Sequence, residues 1–134
     1  MTRAALLTHT LPDGSAHLDL LIERAEGHDP DERALIAWRL PVASRDAILT
    51  GAGGPVDADR LADHRRLYLS HQGPVPGGRG EVRLLASGRA SGLVESEGQA
   101  DAAIDWGAGA VAMRARRRRQ GGWRIFTTPL ADPP

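Results

Sequence analysis

The chain has 134 residues, of which 25% are charged and 41% apolar, and its formal net charge is zero. This mix is typical of a soluble globular protein, so we expect a single domain over residues 1–134 and exclude a collagen-like or wholly disordered chain. The sequence has no cysteine and no lysine, which excludes disulfides, thiol nucleophiles, cysteine–zinc sites, Schiff-base chemistry and a P-loop lysine.

The first strand signals are at residues 4–8, 17–23 and 34–40. Residues 24–33 between the second and third are polar and predict a hairpin loop. With a period of two, the second strand has one aliphatic face and one mixed face. The aliphatic face carries Leu18, Leu20 and Ile22, and the other carries His17, Asp19, Leu21 and Glu23. The polar side chains therefore face either solvent or a site.

The rest of the chain has weaker signals. Residues 44–49 predict a helical turn, 57–66 a short helix or irregular structure, and 71–80 a loop rich in glycine and proline. Strands are predicted at 81–86, ending at Ser87-Gly88, and at 108–114 and 122–128, with a frayed tail at 129–134. Many short strands with little helical periodicity favour a mainly β fold, in which an antiparallel sheet forms a small barrel or a sandwich. Of these we expect the small closed antiparallel barrel, with one or two short helices and a core over about 4–128.

Charge is distributed unevenly along the chain. Residues 106–134 hold six arginines and one acid (+5), whereas residues 1–105 hold 11 arginines and 16 acids (−5). We expect no domain-wide basic field for nucleic acid. The four arginines at 116–119 predict either a solvated hairpin tip or a local patch that contacts phosphate.

No membrane span or signal peptide is evident, because no run approaches about 18 apolar residues and His9 interrupts the first apolar stretch. We expect a cytoplasmic protein with no membrane partner, and a monomer.

The segment from His9 to Asp19 carries most of the chemical information. His17 and Asp19 are two residues apart on a strand, so they share a face about 7 Å apart. The turn at Pro12-Asp13-Gly14 can fold His9 back beside them. Two imidazoles and a carboxylate suit Mn²⁺, Zn²⁺ or Fe²⁺ with open coordination positions. The alternative is surface histidines and a solvated aspartate.

Further motifs follow in a fixed order. After His9 and His17-x-Asp19-x-x-x-Glu23 come Trp38-x-x-Pro41, Asp63-His64-x-x-x-Tyr68, the 71–80 loop leading into a strand, and a last strand with Trp123. Over about residues 4–128, this order resembles the 3′-phosphoesterase domain of bacterial DNA ligase D proteins, which also occurs as small stand-alone proteins.

The resemblance implies a compact β-barrel and a nucleic-acid repair function. It implies Mn²⁺ or another divalent metal held by His9, His17 and Asp19, with a phosphate site using His64 and Tyr68 as catalytic residues. It also implies activity on nucleic-acid 3′ ends, removing a 3′ ribonucleoside and then a 3′-phosphate, with DNA repair proteins as possible partners.

The sequence departs from that family at two arginine positions. Leu21 stands where the family has an arginine two residues after the motif aspartate, and about Val56 where it has another. Each lost guanidinium removes a bidentate phosphate contact. The candidates to substitute from the loops are Arg65, Arg66 and Arg79.

Three functional hypotheses therefore stay open. The first is a metal-dependent phosphoesterase, the second a non-catalytic module that keeps the metal and docks a nucleic-acid end or a repair partner, and the third a small barrel with histidines on a wet surface. Glu23 is expected either to hydrogen-bond a metal-bound histidine or to end its strand in solvent. His28 is expected in solvent, and His71 at the surface rather than at the site.

Overall fold

One antiparallel sheet makes up most of the protein in the computed structural model, which describes residues 1–131. Its strands in this range are β1 (Thr2–Thr10), β2 (Ala16–Glu23), β3 (Leu35–Leu40), β4 (Val56–His64), β5 (Gly73–Pro74), β6 (Glu81–Ser96), β7 (Gln99–Asp105), β8 (Ala110–Arg117) and β9 (Trp123–Leu130). A 3-10 turn (Val42–Ser44) leads into helix α1 (Arg45–Thr50), and a second 3-10 turn covers Arg66–Leu69.

The sheet closes into an eight-stranded barrel, which confirms the predicted fold class. Its strand order is β1-β2-β3-β4-β9-β8-β7-β6, and β1 pairs with β6 to close it, while β5 adds to the start of β6. Closure depends on the length of β6, because its first half pairs with β1 and its second half with β7. A closed barrel leaves no long unpaired edge.

Alternating side chains fill the barrel interior. Leu18, Leu20 and Ile22 of β2 point inward, as the period of two predicts, and pack with Trp38 of β3. Ile48 brings α1 into the same cluster. Across the described part of the chain, no helix is long and apolar enough to cross a membrane.

A second apolar layer lies outside the barrel on one side. The opposite faces of β1, β2 and β3 contribute Leu7, Leu21 and Leu35, all almost fully buried. Tyr68 of the second 3-10 turn and Val75 of the 71–80 loop cover them. This layer fixes the position of the two covering segments on the barrel, and the candidate site lies at its edge.

Residues 57–66 were expected to form a short helix or irregular structure, and this is wrong. Most of them belong to β4, in which Val56 and Ala58 face the interior cluster. The next inward position is Arg60, whose guanidinium carbon lies 5.0 Å from the Trp38 ring and 5.7 Å from the Trp123 ring. Cation–π contact allows a charged side chain at this inward position. Because Arg60 interrupts the alternation of apolar and polar residues along β4, the strand is hard to recognise from the sequence.

Two expected boundaries are also wrong, and one strand was not expected. β6 continues past Gly88, where an added Cβ would lie 2.9 Å from a ring carbon of Trp106, so glycine permits close packing there instead of ending the strand. β7 was not predicted at all. Pro129 and Leu130, expected in the tail, pair with β8, and residues 132–134 of that tail lie outside the described residues.

A buried charge cluster attaches the outer layer to the barrel. The fully buried Glu23 carboxylate accepts hydrogen bonds from Arg66 Nε at 2.6 Å and Arg3 Nη2 at 2.8 Å. Arg66 also donates to Glu32 and to the Asp29 carbonyl in the β2–β3 loop. Burial alone would raise the pKa of Glu23, but these arginine hydrogen bonds bring it below its ordinary value of 4.5.

We expect Glu23→Gln to destabilise the fold, because it leaves Arg66 buried without its carboxylate. Since the pKa of Glu23 is lowered in the folded state, its stabilisation is present above about pH 4.5 and is lost as the pH falls below that value. At pH 7 the variant should unfold on the order of 10 °C lower than wild type, and the difference should shrink on acidification. Thermal unfolding at several pH values measures this.

The exposed Glu97, whose one ion-pair partner within residues 1–131 is Arg117, provides the matched control, and Glu97→Gln should unfold close to wild type. A Glu23→Gln midpoint equal to that of the control at pH 7 would show that the cluster does not hold the outer layer.

Candidate metal centre

The β1–β2 hairpin brings the three predicted metal ligands together. His9 is directly opposite His17, and Asp19 is opposite Leu7. The three polar side chains lie outside the barrel, on the face opposite Leu18. Their ligand atoms all lie within 4.8 Å of one another. We call His9, His17 and Asp19 the ligand cluster.

The ligand cluster is poorly accessible to solvent. Asp19 is 2% exposed and His17 is 8% exposed. The Asp19 carboxylate lies between the two imidazoles, with Oδ1 3.1 Å from His17 Nε2 and Oδ2 3.5 Å from His9 Nδ1. These side chains are therefore not on an ordinary wet surface, contrary to the third hypothesis.

Two buried polar atoms in the cluster have no hydrogen-bond partner within residues 1–131. They are His17 Nε2 and Asp19 Oδ1, which are close neighbours but are not oriented to hydrogen-bond each other. A buried polar atom without a partner costs about 1–3 kcal/mol. A divalent cation bound by both atoms would satisfy them at once, so this donor set fits a metal.

The orientation of the His9 ring also fits a metal ligand. Its Nε2 lies 2.7 Å from the backbone carbonyl of Arg79, and a carbonyl only accepts, so Nε2 carries the proton. Nδ1 then has a free lone pair on the side of Asp19. Ligating histidines are commonly held in this way by a carbonyl on the second ring nitrogen. The 71–80 loop therefore orients one residue of the ligand cluster.

A small pocket of about 230 Å³ opens beside the cluster. His9 and Asp19 form one part of its wall, and His64 and Tyr68, the predicted phosphate-site residues, form another. Leu7, Val75 and Val82 make the wall partly apolar. We call this space the small pocket.

Three arginines from separate segments line the small pocket. Arg33 ends the β2–β3 loop, Arg65 precedes the second 3-10 turn, and Arg79 belongs to the 71–80 loop. Arg33 and Arg79 donate to backbone carbonyls, of Asp63 and Pro76. The guanidinium of Arg65 lies 3.4 Å from the largely exposed Asp31. Their positive charge is therefore only weakly neutralised, which suits an anionic ligand.

His64 and Tyr68 lie side by side, with ring centroids 5.8 Å apart. His64 Nδ1 is 2.8 Å from the Ala62 carbonyl, so Nδ1 carries a proton and Nε2 is the nitrogen that can exchange one. The guanidinium carbon of Arg65 is 5.7 Å from the Tyr68 ring. Arg65 is thus placed to bind an anion next to both predicted residues.

Several other sequence expectations have a clear outcome. Glu23 neither ends its strand in solvent nor contacts a ligand histidine, because Arg3 and Arg66 hold it in the buried cluster. Arg66 is therefore not available at the small pocket. His28 is exposed as expected. His71 is half-buried and packs against Tyr68, with ring centroids 5.7 Å apart.

The two positions at which the family arginines are lost are both apolar and buried. Leu21 is fully buried in the outer layer, and Val56 faces the barrel interior. Neither side chain lines the small pocket. Any guanidinium contact to a phosphate there must come from the loop arginines.

The arginine run at 116–119 is largely paired within the protein. Arg116 binds Asp101 through two hydrogen bonds, Arg117 pairs with Glu97, and Arg118 pairs with Asp57. These carboxylates offset most of the local positive charge, which favours the solvated hairpin over a phosphate patch.

Sequence reasoning missed Arg33 entirely. Its position in a long polar loop contains no signal for a site, and only the contact of that loop with β4 brings it to the pocket.

A scan against protein-family models and a search of curated proteins both find no match to this chain. The family resemblance therefore stays a prediction based on the motifs.

Gly80 offers a test of how the 71–80 loop supports the ligand cluster. An added Cβ there would lie 2.0 Å from the Thr10 carbonyl oxygen, so Gly80→Ala must move the loop and weaken the hydrogen bond between His9 and Arg79. We expect Mn²⁺ binding, measured by calorimetry, to weaken about 10-fold or more.

Gly78→Ala is the matched control, because Gly78 also has a positive φ but has open space around it. Its Mn²⁺ affinity should stay within about twofold of wild type. Equal affinities for the two variants would mean that the loop does not orient His9.

Proposed function

We propose that this protein is a divalent-metal-dependent phosphoesterase that acts on the 3′ ends of nucleic acid, as in DNA repair. The observation that carries the proposal is the pair of unsatisfied buried atoms, His17 Nε2 and Asp19 Oδ1, beside a pocket lined by arginines. The motif order of the sequence supports the same substrate class.

The size of the small pocket supports a terminal phosphate as the group it binds. Its volume of about 230 Å³ is below the range of about 300–1,000 Å³ for sites that bury a drug-sized ligand. A phosphomonoester group fits such a space, whereas the rest of a polynucleotide would lie outside it. Arg33, Arg65 and Arg79 would bind the phosphate oxygens from three sides.

The cluster of His9, His17 and Asp19 would hold the metal, with Mn²⁺ as the first candidate and Zn²⁺ as the second. When bound, such a cation supplies positive charge that offsets the charge developing on the phosphoryl oxygens. The apolar walls of the pocket strengthen this attraction by excluding water.

His64 and Tyr68 would act on the phosphate directly. Hydrolysis by water breaks the bond between phosphorus and the 3′ oxygen, and that oxygen must gain a proton. With Nδ1 held by the Ala62 carbonyl, the protonated His64 ring donates from Nε2 to the leaving oxygen. The Tyr68 hydroxyl would hold one phosphoryl oxygen by a hydrogen bond.

A non-catalytic module that keeps the metal and docks a nucleic-acid end or a repair partner is the second candidate. The buried leucine and valine at positions 21 and 56 favour this second candidate. The family that the sequence resembles has arginines there, and this chain lacks both guanidinium groups. The two candidates share the binding site and differ only in turnover.

Phosphate release from a 3′-phosphorylated DNA primer in the presence of Mn²⁺ distinguishes them. We expect wild type to release phosphate, and His64→Asn to lose about 100-fold or more of kcat while still binding the primer. His17→Ala should lose both turnover and the Mn²⁺-induced rise in the unfolding temperature. His28→Asn, which alters an exposed histidine in the β2–β3 loop, should match wild type.

Primer binding without phosphate release by wild type would support the docking module. Phosphate release that is the same in His17→Ala as in wild type would overturn the role of the ligand cluster.

A further inference from the structure

A second and larger groove opens on the other side of His17. Its volume is about 650 Å³, within the range of about 300–1,000 Å³ that holds a small molecule such as a nucleotide. Its walls come from His17, from Arg39 on β3, from Asp57 and Asp59 on β4, and from Arg118 and residues 120–122 between β8 and β9. We call this space the large groove.

The ligand cluster lies between the two spaces. His17 lines the large groove and contacts Asp19, which lines the small pocket. The ligand cluster therefore forms part of the wall of both spaces.

Within residues 1–131, Arg39 is the cation of the large groove that has no ion-pair partner. It lies directly opposite Asp19 on one side and Asp59 on the other in the strand register, and its side chain is exposed. The Asp19 carboxylate is turned to the two histidines, and within residues 1–131 no carboxylate is close enough to pair with Arg39. Arg118, by contrast, is shared with Asp57.

The hairpin between β8 and β9 leaves open space beside Gly121. Gly121 has a positive φ of 99°, and an added Cβ there would have nothing within 4 Å. A ligand can therefore approach the backbone closely at this turn. Gln120 beside it is exposed and both donates and accepts hydrogen bonds, as contact with a base or sugar edge requires.

We propose that a polynucleotide strand with its 3′-phosphate in the small pocket passes over the ligand cluster into the large groove, which binds the 3′-terminal nucleoside, with Arg39 holding the phosphodiester on the 5′ side of that nucleoside. This inference rests on the proposed function and assigns the part of the substrate that the small pocket excludes. It makes the protein selective for oligonucleotides over a single 3′-nucleotide, since only an oligonucleotide reaches Arg39.

Fluorescence anisotropy with a 5′-labelled 12-nucleotide DNA carrying a 3′-phosphate tests the groove. In EDTA, where no metal-dependent turnover occurs, we expect Arg39→Gln to weaken binding about tenfold. The slope of log affinity against log salt should fall by about one, as for the loss of one phosphate contact. Thymidine 3′-phosphate lacks the second phosphate, so its affinity as a competitor should be the same for Arg39→Gln and wild type.

Arg114→Gln is the matched control, because Arg114 is an exposed arginine on β8 outside both spaces. It should bind the labelled DNA like wild type. Equal binding by Arg39→Gln and wild type, or equal weakening in both variants, would overturn the inference.

The same samples separate this inference from the proposed function. Arg39-dependent binding without phosphate release on Mn²⁺ addition supports the groove and contradicts the phosphoesterase. Phosphate release with no effect of Arg39→Gln on affinity supports the enzyme and contradicts the groove.

Discussion

The pairing of β1 with β2 is the constraint on which the candidate site depends. Cross-strand pairing sets His9 opposite His17, and the two-residue spacing on β2 adds Asp19 to the same face. A slip of one residue would turn the ligands of one strand into the barrel interior. The aliphatic Leu18 and Leu20, packed inside, make such a slip costly. The hydrophobic core thus holds the polar cluster in register.

The outer layer determines what surrounds the cluster. Glu23 and Arg66 hold the second 3-10 turn against the β2–β3 loop, and this turn carries Tyr68 next to Arg65. The 71–80 loop packs on the same layer through Val75 and brings the Arg79 carbonyl to His9. Buried charge and apolar packing therefore both act at a distance on the pocket, by fixing the segments that supply its arginines.

Much of the fold and the ligand cluster could be predicted from the sequence. The alternation of apolar and polar residues on β2 is strong. The short turn at Pro12-Asp13-Gly14 joins β1 to β2, so the approach of His9 to Asp19 follows from residues that are close in sequence. β4 and β7 could not be predicted in the same way. On β4 an inward arginine interrupts the apolar alternation, and on β7 the inward residues at 100 and 102 are only alanines, which have a weak strand preference.

The surroundings of the cluster were beyond local patterns for a different reason. Glu23 and Arg66 are 43 residues apart, and Arg33, Arg65 and Arg79 meet only when three loops pack on the barrel. Such convergence has no signature in spacing or periodicity. For this reason the sequence alone indicates neither the burial of Glu23 by Arg66 nor the presence of Arg33 at the small pocket.

A cation shared by His9, His17 and Asp19 is the central feature of the proposed site. Anomalous X-ray scattering from crystals grown with Mn²⁺ tests this claim most directly. It predicts one strong peak within bonding distance of His9 Nδ1, His17 Nε2 and an Asp19 carboxylate oxygen. The claim would be contradicted if crystals at saturating Mn²⁺ showed no peak at this position and His17 formed a hydrogen bond with Asp19 instead.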